Sequence, residues 1–297
     1  MQNINGEKFF KAFSFFVLLI LFIFAFLPFI LIFVTSFTDE ATLIRNGYSF
    51  FPQKLSLNSY KYMFSNYSTI LRAYGVSIFV TSAGTAVGLL LTTMLAYPMA
   101  RKDFKYRNLL AFIAFFTLLF NGGIVPSYIM WTRMFAINNS YAALIIPIYL
   151  MNAFNVLLVR NYYANNVPVE VIESAKIDGA GELMIFFRIM LPMSIPVIAT
   201  VGLFTGLAYW NDWINALYYI SSPKYYGIQN LLIRLMNNIQ FLKSSQASTL
   251  LAGREMELPS TGIRMALAVL GILPILILYP FLQKYLIKGV VMGAVKG

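Results

Sequence analysis

The chain has 297 residues, of which 59% are hydrophobic and only 11% are charged. Soluble globular domains carry about 25% charged residues, so this composition, with a mean hydropathy of +0.72, indicates a protein of the lipid bilayer. Cysteine and histidine are both absent, which excludes disulfides, Cys/His metal sites and catalytic pairs of the Ser-His or Cys-His kind. The net charge of +11 is scattered between apolar runs, so it favours membrane lipid over nucleic acid as a partner.

Six charge-free runs along the chain meet or nearly meet the length of about 20 apolar residues that a membrane-spanning helix needs. We therefore expect one all-α integral membrane domain over residues 1–297, with six transmembrane helices. The predicted spans are 12–37, 73–99, 108–131, 138–159, 192–213 and 264–286. The first run is too long for the apolar part of a signal peptide, and no small-residue cleavage site follows it, so it should stay attached.

The distribution of basic residues predicts how these spans are oriented. Six spans place both termini on one side of the membrane, together with the short basic loop that holds Arg101, Lys102, Lys105 and Arg107. Loops rich in lysine and arginine stay in the cytoplasm. We expect a multi-pass protein of the cell (plasma or inner) membrane with both termini cytoplasmic.

Two glycine pairs have the small-xxx-small spacing that lets helix backbones approach closely. They are Gly84 with Gly88 and Gly202 with Gly206. Because such pairs are common in membrane helices, packing within the bundle is favoured over a specific dimer contact.

The segment between the fourth and fifth spans reads PVEVIESAKIDGAGELMIFFRIMLP. Its first proline suits a helix start, Glu170 and Glu173 favour the positive end of the helix dipole, and Gly179 suits a left-handed helix end. The pattern predicts a short helix, followed by a second helical piece from Glu182 to Met190. A helix this short is marginal alone in water, and its acids favour a protein partner over an anionic membrane surface.

The same segment resembles the EAA motif of permease subunits in binding-protein-dependent ABC importers. That motif reads E-A-A, three residues, G, nine residues and then I-x-L-P. Here Glu173, Ser174 and Ala175 precede Gly179, and Ile189 to Pro192 follow at the family's spacing. Ser174 replaces the family's first alanine and is small enough to pack similarly. The segments FNGGIVPSYIM, WNDW and QKYLIKGVVMGAVKG also look like the carbohydrate branch, in the maltose-permease class.

The resemblance implies an ATP-driven importer of sugars, with oligosaccharides as the expected substrates, that works by alternating access. It implies a second homologous permease subunit, two ATPase subunits that bind ATP and Mg, and an extracytoplasmic solute-binding protein. This chain would be non-catalytic and would hold no cofactor; it has no P-loop pattern. Region 168–190 would contain the cytoplasmic coupling helix, and stretch 244–260 matches a loop that reaches into the binding protein. The implied ATPase-coupling residues are Glu173, Ser174, Ala175, Asp178 and Gly179.

Polar and aromatic residues within the apolar runs are candidates for a substrate pathway: Asn121, Asn152, Asn155, Trp210, Asn211 and Asp212. Asn121 beside two glycines predicts a broken or kinked third span, with packing as the alternative. Asn152 and Asn155 would bond a neighbouring helix or sugar hydroxyls, and the helix is favoured. Asp212 lies near the outer interface, where an aromatic belt with Trp210 and Trp213 is favoured over direct sugar contact.

Two other classes of membrane protein compete with the importer. A secondary transporter is expected to carry ionisable groups near the bilayer midplane, and the six charge-free runs lack them. A non-transporting membrane scaffold stays open as an alternative. Co-purification with an ATPase and substrate-stimulated hydrolysis would separate a scaffold from an importer.

Overall fold

The computed structural model describes residues 4–65, 67–243 and 261–294. Every regular element in these ranges is a helix, and an isolated antiparallel bridge joins Thr38 to Leu55. This agrees with the all-α prediction. The chain divides into two compact units, Met1–Ser68 with Leu232–Pro274 and Thr69–Leu231 with Ile275–Gly297. The outer stretch 244–260, predicted to contact a binding protein, lies outside the described residues.

The helices follow one another in short steps along the chain. They are α1 (Ile4–Ser36), α2 (Glu40–Asn46), α3 (Asn58–Ser65), α4 (Tyr67–Ala100), α5 (Arg107–Leu119), α6 (Ile124–Ile129), α7 (Tyr141–Ile145), α8 (Ala153–Asn166), α9 (Val169–Ile177), α10 (Glu182–Ile185), α11 (Leu191–Met193), α12 (Ile195–Trp210), α13 (Ile214–Tyr219), α14 (Ile228–Lys243) and α15 (Thr261–Ala294). A π-helical turn, Met130–Met134, continues α6, and another, Phe186–Met190, joins α10 to α11. A short 3₁₀ turn covers Pro223–Tyr225.

In the first unit, α1 is apolar around its whole circumference and 0% of its most apolar stretch is buried, which is typical of a helix that faces lipid. The carboxylate of Glu40 in α2 accepts hydrogen bonds from the backbone N–H groups of Thr261, at 2.8 Å, and Gly262, at 3.0 Å. Those N–H groups begin α15 and have no partner within the helix. Glu40 therefore caps the last long helix.

Three helical stretches of the described residues are long and apolar enough to cross a bilayer: Gly6–Ser36, Tyr67–Ala100 and Thr261–Pro280. Two bent pairs reach the same standard together, Arg107–Leu119 with Ile124–Met134 at 113° and Glu182–Met193 with Ile195–Trp210 at 81°. The described part of the chain thus offers three to five spans, and the count of six stays a prediction.

Two predicted spans differ from the helices observed. The fourth, 138–159, is divided between α7 and α8 by the non-helical residues 146–152. The sixth was expected to end at residue 286, whereas α15 continues to Ala294. The break in the fourth span is accompanied by a side-chain cap at the start of α8, which the apolar run alone does not reveal.

The larger core of the second unit forms where α4, α5, α8 and α12 meet. Its centre consists of side chains that are at most 1% exposed: Ala96, Met99, Val156, Val159, Ile185, Met190 and Val201. Ile172 and Ala175 of the short helix α9 pack into the same core, at 6% and 9% exposed. The predicted coupling helix is therefore attached to the membrane helices through apolar contact.

The two glycine pairs bring α4 and α12 together inside the chain. A Cβ at Gly84 would lie 2.5 Å from the Tyr209 ring, and one at Gly202 would lie 3.1 Å from a methyl group of Leu89. These distances are shorter than ordinary van der Waals contact. Packing within the bundle, the interpretation favoured from the sequence, is confirmed for both pairs.

The close contact at Gly84 predicts a specific loss of stability. Tyr209 is 3% exposed and its hydroxyl donates to the carbonyl of Ile145 at 2.8 Å, so its ring cannot easily move away. We expect Gly84→Ala to lower the free energy of unfolding by about 1–3 kcal/mol. Gly75→Ala is the matched control on α4, because a Cβ there meets nothing within 4 Å. Thermal unfolding of the chain in detergent measures both, and equal losses would contradict the contact.

Candidate functional site

Helix α9 ends at a glycine in the left-handed region. Gly179 has φ +80°; its N–H donates to the carbonyl of Lys176 at 3.0 Å, and the N–H of Ala180 donates to that of Ala175 at 2.9 Å. These two bonds form the Schellman ending of a helix. The predicted short helix and its glycine end are confirmed. A Cβ at Gly179 would meet nothing within 4 Å, so the backbone conformation, not space, requires glycine.

The side of α9 that faces away from the core carries the predicted ATPase-coupling residues. Glu173, Ser174 and Asp178 are exposed, and Ile177 beside them is 87% exposed. An exposed isoleucine among acids is the kind of mixed surface that a protein partner covers. Ala175, the remaining member of the predicted set, is buried and serves the attachment to the core instead.

Four charged side chains beside α9 form a closed ring of alternating sign, which we call the charge ring. Its ion pairs are Arg101–Asp103 at 2.5 Å, Asp103–Lys176 at 2.9 Å, Lys176–Glu182 at 3.3 Å and Glu182–Arg101 at 3.1 Å. The members come from the loop after α4, from α9 and from the start of α10. The Tyr97 hydroxyl of α4 donates to Glu182 and accepts from Arg101 Nη1 at 2.8 Å.

The charge ring keeps its charges over a wide pH range. Hydrogen bonds from Arg101 and then Lys176 hold the pKa of the Asp103 carboxyl well below its ordinary value. Its pairing is therefore fully present above the unfolded pKa of about 3.9 and is lost only as pH falls through the lower folded value. The hydrogen bond to Asp103 raises the pKa of Lys176, so that pairing is lost only as pH rises above about 10.4.

Sequence reasoning did not find the charge ring. Arg101 entered only as a basic residue that sets orientation, and Glu182 only as the start of a helical piece. The two lie 81 positions apart, and no local pattern in the sequence joins segments at that separation.

Three of the predicted pathway residues cap the ends of helices. Asn121 Oδ1 accepts from the N–H of Gly123 at 2.8 Å, in the break between α5 and α6 that the sequence predicted. Asn152 Oδ1 accepts from the N–H groups of Phe154 and Asn155, at 2.9 and 3.3 Å, and caps α8. Each side chain satisfies backbone donors that a helix start leaves free.

Asp212 is held in the same way. Its carboxylate accepts from the N–H groups of Ile214 and Asn215, at 3.0 and 3.1 Å, and caps α13. The neighbouring Asn211 donates from Nδ2 to the carbonyl of Leu207 at 2.9 Å. Asp212 thus has a structural task that the sequence did not suggest.

The aromatic belt expected beside Asp212 is not what the structure has for Trp210. That side chain is 7% exposed, and its ring centre lies 6.4 Å from that of Tyr74 on α4. Trp213 is 40% exposed. A tryptophan buried against another helix of its own chain does not face the membrane interface.

A cavity of about 420 Å³ opens next to Asn152 and Asn155. Asn155 Nδ2 donates to Thr205 Oγ1 at 3.4 Å and so bridges α8 and α12, the helix contact that the sequence favoured. The lining of the cavity combines aromatic rings with amide and hydroxyl groups: Tyr149, Asn152, Phe154, Asn155, Phe204, Thr205 and Ala208. Apolar walls with a few polar groups are typical of small-molecule sites.

Comparison with known proteins identifies the family. The model of the family described as binding-protein-dependent transport system inner membrane component matches residues 84–292. That range includes the predicted coupling region, the charge ring and the cavity. The chain belongs to this family.

Individual relatives agree over nearly the whole chain. It is 41% identical over 271 residues to protein LplC of Bacillus subtilis (strain 168), covering 91% of this chain and 89% of the relative. It is 37% identical over 271 residues to the polygalacturonan/rhamnogalacturonan transport system permease protein YtcP of the same strain, covering 91% and 92%. A solved chain of a bacterial ABC transporter for import of the acidic polysaccharide alginate has the same fold, with TM-score 0.79, 24% identity and coverage of 94% and 97%.

The cap at Asp212 predicts that its oxygen matters for stability and its charge does not. Asp212→Asn retains an acceptor for the two N–H groups and should leave the thermal unfolding temperature in detergent nearly unchanged. Asp212→Ala removes the acceptor and should cost about 1 kcal/mol. If the asparagine variant lost as much stability as the alanine variant, the negative charge, and not the cap, would be the reason for this residue.

Proposed function

We propose that this chain is a transmembrane permease subunit of an ATP-driven importer for oligosaccharides. Family membership supports a transport role, and a relative at 37% identity is named as a permease for polygalacturonan and rhamnogalacturonan. The single observation that carries the proposal is α9, a short, glycine-ended helix with a buried inner side and an exposed acidic outer side.

The partners in this proposal follow from the division of work. Two ATPase subunits bind ATP and Mg and hydrolyse ATP, a second homologous permease subunit completes the pathway, and an extracytoplasmic solute-binding protein delivers the sugar. The basic loop after α4 and both termini face the cytoplasm, where α9 meets an ATPase. This chain supplies helices, a pathway surface and a lever.

The lever works through the two sides of α9. Its outer side, with Glu173 and Ile177, docks on the ATPase, where a basic group pairs with the acid. Its inner side, with Ile172 and Ala175, transmits the displacement to the core of α4, α8 and α12. Gly179 sets the angle at which the helix leaves that core, because only its positive φ lets the chain turn there.

The cavity beside Asn155 is the surface that we assign to the sugar pathway. Sugar rings present apolar faces that pack on aromatic side chains, such as those of Tyr149 and Phe204, and hydroxyls that bond amides. Its lining groups carry no formal charge, so the cavity accepts neutral and acidic sugars alike. Selection between sugars is then left to the binding protein.

Substitution of Gly179 tests the lever. Valine at φ +80° carries a steric penalty of about 1–2 kcal/mol and should redirect α9, so that sugar uptake per ATP falls on the order of 5- to 30-fold. Gly179→Asn should retain coupling because asparagine tolerates the left-handed region. The measurement is binding-protein-stimulated ATP hydrolysis and sugar uptake in proteoliposomes that hold the full complex.

Gly181→Ala is the control for the Gly179 series. It adds a methyl group two residues away, at an ordinary φ of −73° and with nothing within 4 Å, and should behave as wild type. Glu173→Ala should weaken co-purification with the ATPase without loss of folding. Wild-type uptake in an assembled Gly179→Val complex would show that α9 is not the coupling element.

Reconstitution tests the transport function itself. The chain alone in liposomes should neither hydrolyse ATP nor take up sugar, whereas the complete complex should import members of a panel of galacturonide, alginate and neutral arabino-oligosaccharides. The binding protein should retain the same sugars in a direct binding assay. Uptake by the chain without any ATPase would favour the secondary transporter, and hydrolysis that no sugar of the panel stimulates would contradict an oligosaccharide importer.

A further inference from the structure

We propose that the charge ring makes the loop after α4 a working part of the lever, with Arg101, Asp103, Lys176 and Glu182 as positioning residues. The ring fixes the direction of α9 relative to α4, so that displacement of α9 moves α4 together with α12. This inference rests on the proposed function, since it concerns how the coupling helix is held.

The apolar contact of α9 is too narrow to fix its direction by itself. Of its nine residues, only Ile172 and Ala175 are buried, and they lie on a single line along the helix. A helix held along one line can roll about that line or swing away from it. Lys176 lies beside this line and binds both Asp103 and Glu182, which gives α9 a second attachment away from the first.

The other end of this attachment is fixed to a membrane helix. The Arg101 side chain is only 11% exposed, and its guanidinium contacts both acids of the ring. A planar guanidinium that binds two carboxylates restricts their positions more than a lysine does. Tyr97 of α4 joins the ring through two hydrogen bonds, so the ring links α9 directly to the end of the long helix α4.

The exposure of the ring favours positioning over simple stabilisation. The side chains of Asp103, Lys176 and Glu182 are 57%, 40% and 56% exposed. Ion pairs so close to water add little to folding stability. Four charges of alternating sign from three chain segments nevertheless select one arrangement of those segments, because any slip brings like charges together.

Neutralising members of the ring should uncouple hydrolysis from transport in the assembled complex. We expect Lys176→Met and Asp103→Asn each to raise the ATP hydrolysed per sugar imported about fivefold. The double variant should be no worse than either single one, because the ring is already open. Uptake is measured with a sugar of the panel that the binding protein retains, and thermal unfolding and co-purification with the ATPase should remain as in wild type.

Two control variants separate position from charge. Lys102→Met removes a positive charge from the same loop but no member of the ring, and Lys176→Arg keeps the ring closed; both should remain coupled. The chain has no cysteine, so Asp103→Cys with Lys176→Cys introduces its only thiol pair. In a complex with cysteine-free partners, this pair should be uncoupled when reduced and recover coupling when a short bis-thiol reagent bridges it.

The results distinguish this inference from the proposal on which it rests. Wild-type coupling in the assembled ring variants, alongside uncoupling by Gly179→Val, would overturn the role of the ring and leave the coupling helix intact. A bridged cysteine pair that stays uncoupled would do the same. If Gly179→Val were also coupled, the proposed function of α9 would fail with it.

Discussion

The fold depends on one constraint, which is that a backbone in lipid must satisfy its N–H and C=O groups without water. Each group left unpaired in hydrocarbon costs several kcal/mol. The long helices α1, α4 and α15 meet this requirement within themselves. Where other helices break, polar side chains take over, as Asn121 does between α5 and α6, Asn152 before α8 and Asp212 before α13. The polar residues of the apolar runs therefore mark the breaks in the helices.

This constraint explains which parts of the site were predictable from the sequence. The ends of α9 follow from local signals, a proline at its start and a glycine whose left-handed φ no other residue adopts as easily. The break at Asn121 was equally local, since two glycines follow it. The break within the fourth apolar run was missed because hydropathy registers Asn152 as one polar residue and does not show which N–H groups its oxygen will accept. Caps and pathway residues look alike in one dimension.

Contacts between distant segments account for the rest of what the sequence left open. The charge ring joins residues 73 to 85 positions apart, and the burial of Trp210 against Tyr74 joins α12 to α4. The glycine spacing in α4 and α12 predicted close packing correctly but not its partner. The structure supplies that partner in the Tyr209 ring, which occupies the space that a side chain at Gly84 would need.

These contacts form a continuous route from α9 to the cavity. The charge ring attaches α9 to the end of α4, and α4 meets the Tyr209 ring of α12 at Gly84. The Tyr209 hydroxyl binds the carbonyl of Ile145, at the end of α7, and its ring lies 5.5 Å from that of Tyr149 in the cavity wall. Glycine leaves no flexible side chain at the crossing to absorb a displacement. A tightly packed crossing that ends at a broken helix therefore concentrates movement where the backbone is already interrupted, beside the cavity.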